Sequence, residues 1–301
     1  MPSSPLRAAF LHLRPRSWPI VFAHYATGLA IALYHAPAQS RLAGAIQGIL
    51  GGLIWTIGMN GGTLALNSAF DRDEGDIGYL DNPPPVPRGL ALGSFALMLA
   101  GLVGGYFVSH GFLVCYAICL VLSVLYSVPP VRLKSVAGPD VLINMIGYGA
   151  LTIAAGALSV RSAVTPTGIW LIAASFAFLF GAFYPMTQIY QIPEDTARGD
   201  RTLVIVLGER ASLVASLFLT LCAAACQLFA ARLQEFAVSP VGLLFIAVVF
   251  VAWCALILHW LANRAAYPAK RGMYRALWLW GVTNIVTLAV FTIAARPALG
   301  Q

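Results

Sequence analysis

The sequence predicts an all-α, polytopic membrane protein with nine transmembrane helices around a central cavity. Hydrophobic residues make up 59% of the 301 residues and charged residues only 10%, and the mean hydropathy is +0.81. A soluble core does not require so much apolar sequence, whereas a chain with many membrane spans does. Helices are predicted because they are the only open-chain structure that satisfies every backbone group in lipid, and the period-two alternation typical of a membrane barrel is missing.

The apolar segments follow one another along the whole chain. Those long enough to cross a hydrocarbon layer of ~30 Å lie near residues 18–34, 42–67, 90–108, 111–128, 139–160, 168–189, 211–231, 240–262 and 274–295. The stretches between them are short, so we predict a single domain over residues 1–301. Five tryptophans near the predicted helix ends are expected in the interfacial aromatic belts: Trp18, Trp170, Trp260, Trp278 and Trp280.

Basic residues predict the orientation of the chain. With the N-terminus in the cytoplasm, 14 of the 18 Lys and Arg residues fall in cytoplasmic segments, the bias expected of short loops. The odd number of spans then places the C-terminus outside, and we expect a bacterial inner membrane. Because the net charge of +7 is distributed over these loops rather than along one stripe, nucleic acid is not predicted as a partner.

Eight of the 11 acidic residues lie in two short polar stretches, which the span count places together on the cytoplasmic side. The first holds Asp71, Asp73, Glu74, Asp76 and Asp81, and the second holds Glu194, Asp195 and Asp200. So few carboxylates, gathered in two loops of an apolar chain, predict a site for divalent cations.

The first stretch begins on a helix. Asn67 and Asp71 are four residues apart and therefore share one helix face, and Asp73 and Asp76 follow where glycines interrupt the helix. Such oxygens suit Mg²⁺, which keeps few protein ligands and leaves positions for substrate phosphates. The alternative is a solvated loop whose acids pair with neighbouring arginines such as Arg72, although five acids outnumber them.

Three further features carry candidate chemistry. Between the fourth and fifth predicted spans, a pair of prolines ends the helix, and Arg132 and Lys134 follow as cations suited to phosphate oxygens; setting orientation alone is the alternative. Asp140, at the start of the next span, is interpreted as a helix N-terminal charge, with a substrate role as the alternative. Asn60 and Asn144 are candidates for hydrogen bonds between helices or for the pocket.

Together these segments resemble the UbiA superfamily of intramembrane prenyltransferases. The resemblance covers nearly the whole chain. It rests on the Arg-Pro pair at Arg14, the Asn-x-x-x-Asp motif of Asn67 and Asp71, the Tyr-Ser-x-Pro-Pro-x-Arg-Leu-Lys segment from Tyr126 to Lys134, and the end of a second Asp-rich motif at 199–203.

The chain departs from the family pattern in both acidic motifs. The family has a further Asp four residues after the position of Asp71, where this chain has Gly75; Asp76, one residue later, and Asp73 are the candidate replacements. In the second motif the three family aspartates correspond to Gln191, Glu194 and Asp200.

The resemblance implies transfer of a polyprenyl group, dependent on Mg²⁺ and using two ions, from an allylic prenyl diphosphate to a lipophilic acceptor (aromatic, lipid or isoprenoid) within the bilayer. Diphosphate is released. The alternatives are a membrane terpene cyclase acting on the prenyl diphosphate itself and, in another class, an ion-coupled transporter. A transporter is disfavoured because the predicted helices carry few of the mid-membrane ionisable groups that transporters use.

The candidate site residues are sorted by role. The predicted catalytic residues are Asp71, Asp76, Asp200 and Lys134. The predicted diphosphate-binding residues are Asn67, Arg72, Tyr126, Arg132, Lys134, Tyr190 and Arg201. The predicted metal ligands are Asn67, Asp71, Asp73, Asp76, Gln191, Glu194, Asp195 and Asp200. Phe70, Tyr126 and Tyr184 are candidates for cation–π contact with an allylic cation, with core packing as the alternative.

Overall fold

The computed structural model describes residues 4–71, 77–161 and 165–293. Over these ranges the chain is helical, with two isolated β-bridges and no extended strand. The helices are α1 (Pro5–His12), α2 (Trp18–His35), α3 (Arg41–Leu53), α4 (Gly62–Asp71), α5 (Leu90–Val108), α6 (His110–Ser127), α7 (Pro139–Asn144), α8 (Thr152–Leu158), α9 (Ile169–Ile189), α10 (Ile192–Ala197), α11 (Leu203–Arg232), α12 (Pro240–Ala262) and α13 (Ala269–Thr292).

The predicted fold class is confirmed. Eight continuous helical stretches among the described residues are long and apolar enough to cross a membrane, and α2 takes the place of the remaining predicted span. Large apolar side chains point outward, as Phe107, Val251 and Trp278 do at 71%, 67% and 78% exposure. Water does not tolerate so much exposed apolar surface, but acyl chains do. The chain is an integral membrane protein.

Local signals set the helix starts. The Ser109 side chain accepts a hydrogen bond from the Phe112 N–H at 3.0 Å and so caps α6, and prolines occupy the first positions of α7 and α12. Two helices begin earlier than predicted, α11 at Leu203 rather than near 211 and α13 at Ala269 rather than near 274. The first turn of α13 carries Lys270 and Arg271, so an apolar pattern does not reach its start. The start of α11 is separated from the rest of the helix by a kink at Gly208, whose φ is +77°, and the predicted range covers only the part after this kink.

Two membrane-spanning helices each contain a π-helical segment. Ile54–Gly61 joins α3 to α4, and Met145–Leu151 joins α7 to α8. The segments face each other, because the Tyr148 hydroxyl donates to Asn60 Oδ1 at 3.0 Å. Trp55 Nε1 also donates to Thr152 Oγ1, at the start of α8, at 3.3 Å. π-Helical turns are rare and occur frequently at functional sites.

Glycines bring α2 and α8 into backbone contact. A Cβ built on Gly28 would lie 2.1 Å from the carbonyl oxygen of Ile153, and one on Gly156 would lie 2.0 Å from that of Tyr25. Helices in membranes associate through such close approaches, since apolar side chains gain little over lipid.

Gly156→Ala is therefore expected to destabilise the protein by about 3 kcal/mol or more, because a methyl group against backbone cannot be relieved by a side-chain movement. The measurement is the thermal midpoint of detergent-purified protein. Gly93→Ala is the matched control, since a Cβ there meets nothing within 4 Å. Equal midpoints for the two variants would contradict the proposed close contact.

Candidate active site

One arginine joins the two acidic stretches. Arg132 Nη2 lies 3.3 Å from Asp71 Oδ1 at the end of α4, and its guanidinium also contacts both carboxylate oxygens of Asp200, just before α11. The Asp71 and Asp200 side chains are 4% and 5% exposed. Because one guanidinium reaches both carboxylates, the structure brings together stretches that are more than a hundred positions apart in the sequence.

Lys134 adds a second link to the charge cluster formed by Arg132, Asp71 and Asp200. Its Nζ donates to Asn67 Oδ1 at 2.9 Å and pairs with Asp71. Asn67 Oδ1 also accepts from Ser127 Oγ at 3.4 Å. The pair Asn67 and Asp71 therefore presents one α4 edge to the lysine, as their four-residue spacing predicts.

The second stretch is organised by another arginine. Arg198 pairs with Asp195, and its Nε lies 3.2 Å from Asp200 Oδ2. Burial, together with the nearby charge of Asp200, raises the pKa of Asp195 to about 6 against the opposing effect of Arg198. Burial alone would raise the pKa of Asp200, but the hydrogen bonds and charges of Arg132 and Arg198 lower it below its usual value. The two neighbouring carboxyls thus titrate differently.

Backbone contacts hold the two loops side by side. The Arg201 N–H donates to Ser135 O at 3.0 Å, within a parallel bridge between Val136 and Arg201. At the turn before it, Gly199 has a φ of +76°, which glycine adopts without steric cost. The Lys134 loop and the Asp200 loop are therefore one docked unit.

Asp140 supports that unit. Its buried carboxylate accepts four hydrogen bonds: Oδ1 from the N–H groups of Gly138 and Val141, at 2.8 and 2.9 Å, and Oδ2 from Gln188 Nε2 and the Leu203 N–H, at 3.0 and 2.8 Å. The carboxylate places a negative charge at the start of α7, as predicted. It also links the start of α7 by hydrogen bonds to the end of α9 and the beginning of α11.

Asp140→Ala is expected to lower the free energy of unfolding by at least ~3 kcal/mol, because four buried donors lose their acceptor. Thermal unfolding in detergent measures it. Asp81→Ala serves as the control: Asp81 is 59% exposed and pairs only with the exposed Arg16 among the described residues, so its loss should cost less than ~1 kcal/mol. A harmless Asp140→Ala would mean that other contacts dock these loops.

A cavity of about 240 Å³ extends from Asn67 into the bundle. Aromatic rings line one wall: Tyr148 stacks on Phe180 with centroids 5.5 Å apart, and Phe180 stacks on Tyr184 at 6.2 Å. The Tyr184 hydroxyl shares a hydrogen bond with the Tyr126 hydroxyl. The charged residues thus adjoin the cavity through Asn67, which lines it and bonds Lys134, and the wall beyond Asn67 is aromatic.

Several predicted residues fall into place around this cavity. Tyr126, Tyr190, Asn60 and Asn144 line it. Trp280 also lines it and is 4% exposed, so the expectation that Trp280 lies in the interfacial belt is wrong. Sequence reasoning missed Tyr148 and Phe180, which carry no motif; only their position in the folded bundle reveals them.

Other predicted residues lie away from the cluster or outside the described ranges. Glu194 and the Arg201 side chain are exposed, whereas Asp195, next to Glu194, is buried. Gln191 is partly buried and precedes α10. Arg72, Asp73 and Asp76 lie outside the described residues. Within the ranges described, no three carboxylate, thiol or imidazole groups converge as a metal site.

Comparison with known proteins identifies the class. The model of the UbiA prenyltransferase family matches residues 21–282. Sequence comparison matches no curated protein. A structure of digeranylgeranylglyceryl phosphate synthase superposes with a TM-score of 0.71 at 15% identity, covering 97% of this chain and 100% of that chain.

Two further solved structures share the fold. A UbiA homologue from Archaeoglobus fulgidus bound to GPP and Mg²⁺ has a TM-score of 0.66 at 20% identity, covering 94% of this chain and 99% of its own. The apo structure of a UbiA homologue from Aeropyrum pernix K1 has a TM-score of 0.60 at 17% identity, covering 91% and 97%. The helical bundle, its buried charge cluster and the family match define a membrane-embedded prenyltransferase. The chain belongs to the UbiA prenyltransferase family.

Proposed function

We propose that the charge cluster binds the diphosphate of an allylic prenyl diphosphate together with Mg²⁺, and that the aromatic cavity holds the prenyl group during its transfer to a lipophilic acceptor. The observation that carries this proposal is the contact of Arg132 with both Asp71 and Asp200, next to the cavity that Asn67 lines. The A. fulgidus relative with GPP and Mg²⁺ supports the ligand class.

The donor chemistry of the cluster fits Mg²⁺. Asn67, Asp71, Asp195 and Asp200 offer only amide and carboxylate oxygens, the ligands that Mg²⁺ accepts while leaving positions for phosphate. When bound, Mg²⁺ neutralises the charge that develops on a leaving diphosphate. The use of two ions, and the roles of Asp73, Asp76, Gln191 and Glu194 as ligands, stay predictions.

The residues of the chain supply the rest of the chemistry. Arg132 and Lys134 are cations beside these carboxylates, suited to non-bridging and leaving oxygens of the diphosphate. As the C–O bond breaks, its electron pair leaves with diphosphate, and the rings of Tyr184 and Phe180 face the allylic cation while excluding water. The acceptor then supplies the electron pair for the new bond and loses a proton.

We also propose that the cluster faces the cytoplasm, with the N-terminus inside and the C-terminus outside, in a bacterial inner membrane. The distribution of basic residues supports this orientation. The contacts of the Asp71, Lys134 and Asp200 segments support a single side for all three.

The direct test is release of diphosphate by the purified protein incubated with geranylgeranyl or farnesyl diphosphate and Mg²⁺, with the lipid product identified by mass. We expect release with Mg²⁺ and none in EDTA. Release that persists in EDTA would overturn the metal-dependent mechanism.

Lys134→Ala is expected to weaken prenyl diphosphate binding by about 1.5–3 kcal/mol, the value of a charge-assisted hydrogen bond, or roughly one to two decades in KM. Lys134→Arg should restore part of this, since charge is kept while geometry changes. A topology reporter separates binding from orientation. Arg264→Ala, which removes an exposed cation of the loop after α12, is the control. An unchanged KM with inverted protein would leave Lys134 a topological role only.

A further inference from the structure

The inner part of the cavity contains a chain of hydrogen bonds that the diphosphate chemistry does not use. The Tyr148 hydroxyl donates to Asn60 Oδ1 at 3.0 Å, Asn60 Nδ2 donates to Ser17 Oγ at 3.1 Å, and Ser17 Oγ donates to Arg14 O at 2.8 Å. Tyr148, Asn60 and Ser17 all line the cavity. Asn60 is 3% exposed.

The direction of these bonds is fixed. Because the Ser17 hydroxyl hydrogen goes to the Arg14 carbonyl, Ser17 Oγ accepts from Asn60, which therefore presents its NH₂ group to Ser17. The Asn60 oxygen then faces Tyr148, whose phenol hydrogen it accepts. An amide NH₂ carries two donors and a phenol oxygen keeps acceptor capacity after donating. These bonds use one Asn60 N–H, so the pair has one further donor and one further acceptor to offer a ligand.

A hydroxyl group matches that pair. It donates one hydrogen bond and accepts others, so it can accept from the Asn60 amide while donating to the Tyr148 oxygen. An ionised carboxylate only accepts, and it cannot use the Tyr148 oxygen. The cations near the cavity are already engaged elsewhere. Arg132 and Lys134 are bonded to the acidic residues, and the buried Arg14 donates to the Gly78 carbonyl at 3.3 Å and to Ser68 Oγ at 3.2 Å.

The two π-helical segments bring the pair together. Asn60 belongs to Ile54–Gly61 and Tyr148 to Met145–Leu151, and their hydrogen bond joins the segments across the cavity. The Tyr148 ring also stacks on Phe180, which stacks on Tyr184. A continuous aromatic wall therefore leads from the Asn60–Tyr148 pair toward the charge cluster.

We infer that Asn60 and Tyr148 form the polar end of the acceptor site and select an apolar acceptor whose head group is an uncharged hydroxyl, an alcohol or a phenol, rather than a carboxylate. This rests on the proposed prenyl transfer, since it assigns the acceptor side of the same cavity. The acceptor lies along the aromatic wall with its hydroxyl at the pair and a ring or alkene carbon toward the charge cluster; that carbon supplies a π electron pair for the new bond and the acceptor then loses a proton.

The test uses three probes with one carbon skeleton: farnesol, farnesene and farnesoic acid. Binding to the detergent-purified full chain is followed by tryptophan emission, since Trp55 and Trp280 line the cavity. We expect farnesol to bind about ten-fold more tightly than farnesene, the effect of a satisfied buried hydrogen-bonding pair, and more tightly than farnesoic acid at neutral pH. Equal or tighter binding of farnesoic acid would overturn the inference.

Two variants test whether Asn60 and Tyr148 cause the preference for farnesol. Tyr148→Phe keeps the ring stacked on Phe180 and removes only the hydroxyl, and Asn60→Leu removes the amide. Each should abolish the ten-fold preference for farnesol over farnesene. Tyr116→Phe is the matched control, because Tyr116 is another buried phenol but lies outside the residues that line the cavity; its preference should equal that of the wild type. A preference that persists in Tyr148→Phe would overturn the assignment.

Diphosphate release separates this inference from the proposed function. Release from geranylgeranyl diphosphate by the wild type, without any preference for farnesol, would refute the acceptor site and leave prenyl transfer standing. A farnesol preference that depends on Asn60 and Tyr148, in a protein that never releases diphosphate, would support the alcohol site and refute prenyl transfer.

Discussion

Asp71→Ala is expected to abolish prenyl transfer while the protein still inserts and purifies normally. Asp71 is a predicted metal ligand, and metal stabilisation of a leaving group is worth several kcal/mol, so we expect a loss of roughly 10³-fold or more in kcat/KM. Asp71→Asn should be nearly as inactive, because the amide keeps the shape of the side chain but not its charge. The assay is diphosphate release at saturating Mg²⁺.

The control for Asp71 lies in the same acidic stretch. Asp81 is exposed and contacts Arg16 rather than the cluster, so Asp81→Asn should keep wild-type activity. Measurable turnover by Asp71→Ala, within ten-fold of the wild type, would remove Asp71 from the metal site. Because Lys134 and Arg132 both pair with Asp71, thermal stability of the variant should be measured alongside activity.

The second large effect on the rate is expected from the acidic residue that is shifted by one position in the first acidic motif. If Asp76 replaces the family aspartate for which this chain has Gly75, then Asp76→Asn should lower the rate by at least ~10²-fold, since a lost ligand weakens stabilisation of the leaving group, and Asp73→Asn should be mild. The reverse pattern would assign the role to Asp73. Equal and mild losses would mean that neither is a ligand and that Asp71 acts with the second stretch alone.

Most of the fold could be predicted from the sequence because the lipid environment restricts which structures can span a membrane. A span must be long, apolar and helical, so the helices from α5 to α9 lie close to their predicted ranges. The apolar pattern does not locate a helix start that precedes a kink, as in α11, where the non-helical Gly208 separates the first turns from Glu209 and Arg210. It also fails for the π segments, because one extra residue in a turn leaves no compositional mark.

The site was predictable in part for a similar reason. Carboxylates and cations are rare in such a chain, so the clustering of Asp71, Lys134 and Asp200 could be anticipated. The neighbours Glu194 and Asp195 could not be told apart, because only the turn of α10 decides which one is buried. The aromatic wall was not predictable, since a ring such as Phe180 has the same sequence signature in a lipid-facing, core or cavity position.

The π segment Ile54–Gly61 also sets the rotational phase of the long second membrane span. Leu42, Ile46 and Leu53 of α3 are exposed on its outer face, whereas Asn67 and Asp71 of α4 face inward to Lys134. One residue of an α-helix corresponds to about 100° of rotation. Deleting a single residue from this segment would keep the lipid face of α3 in place and turn the Asn67–Asp71 edge away from its partners. The extra residue of the π-helical segment thus sets the direction of the Asn67 and Asp71 side chains. A one-residue change in the length of this segment would rotate them further than substitution of their neighbours would.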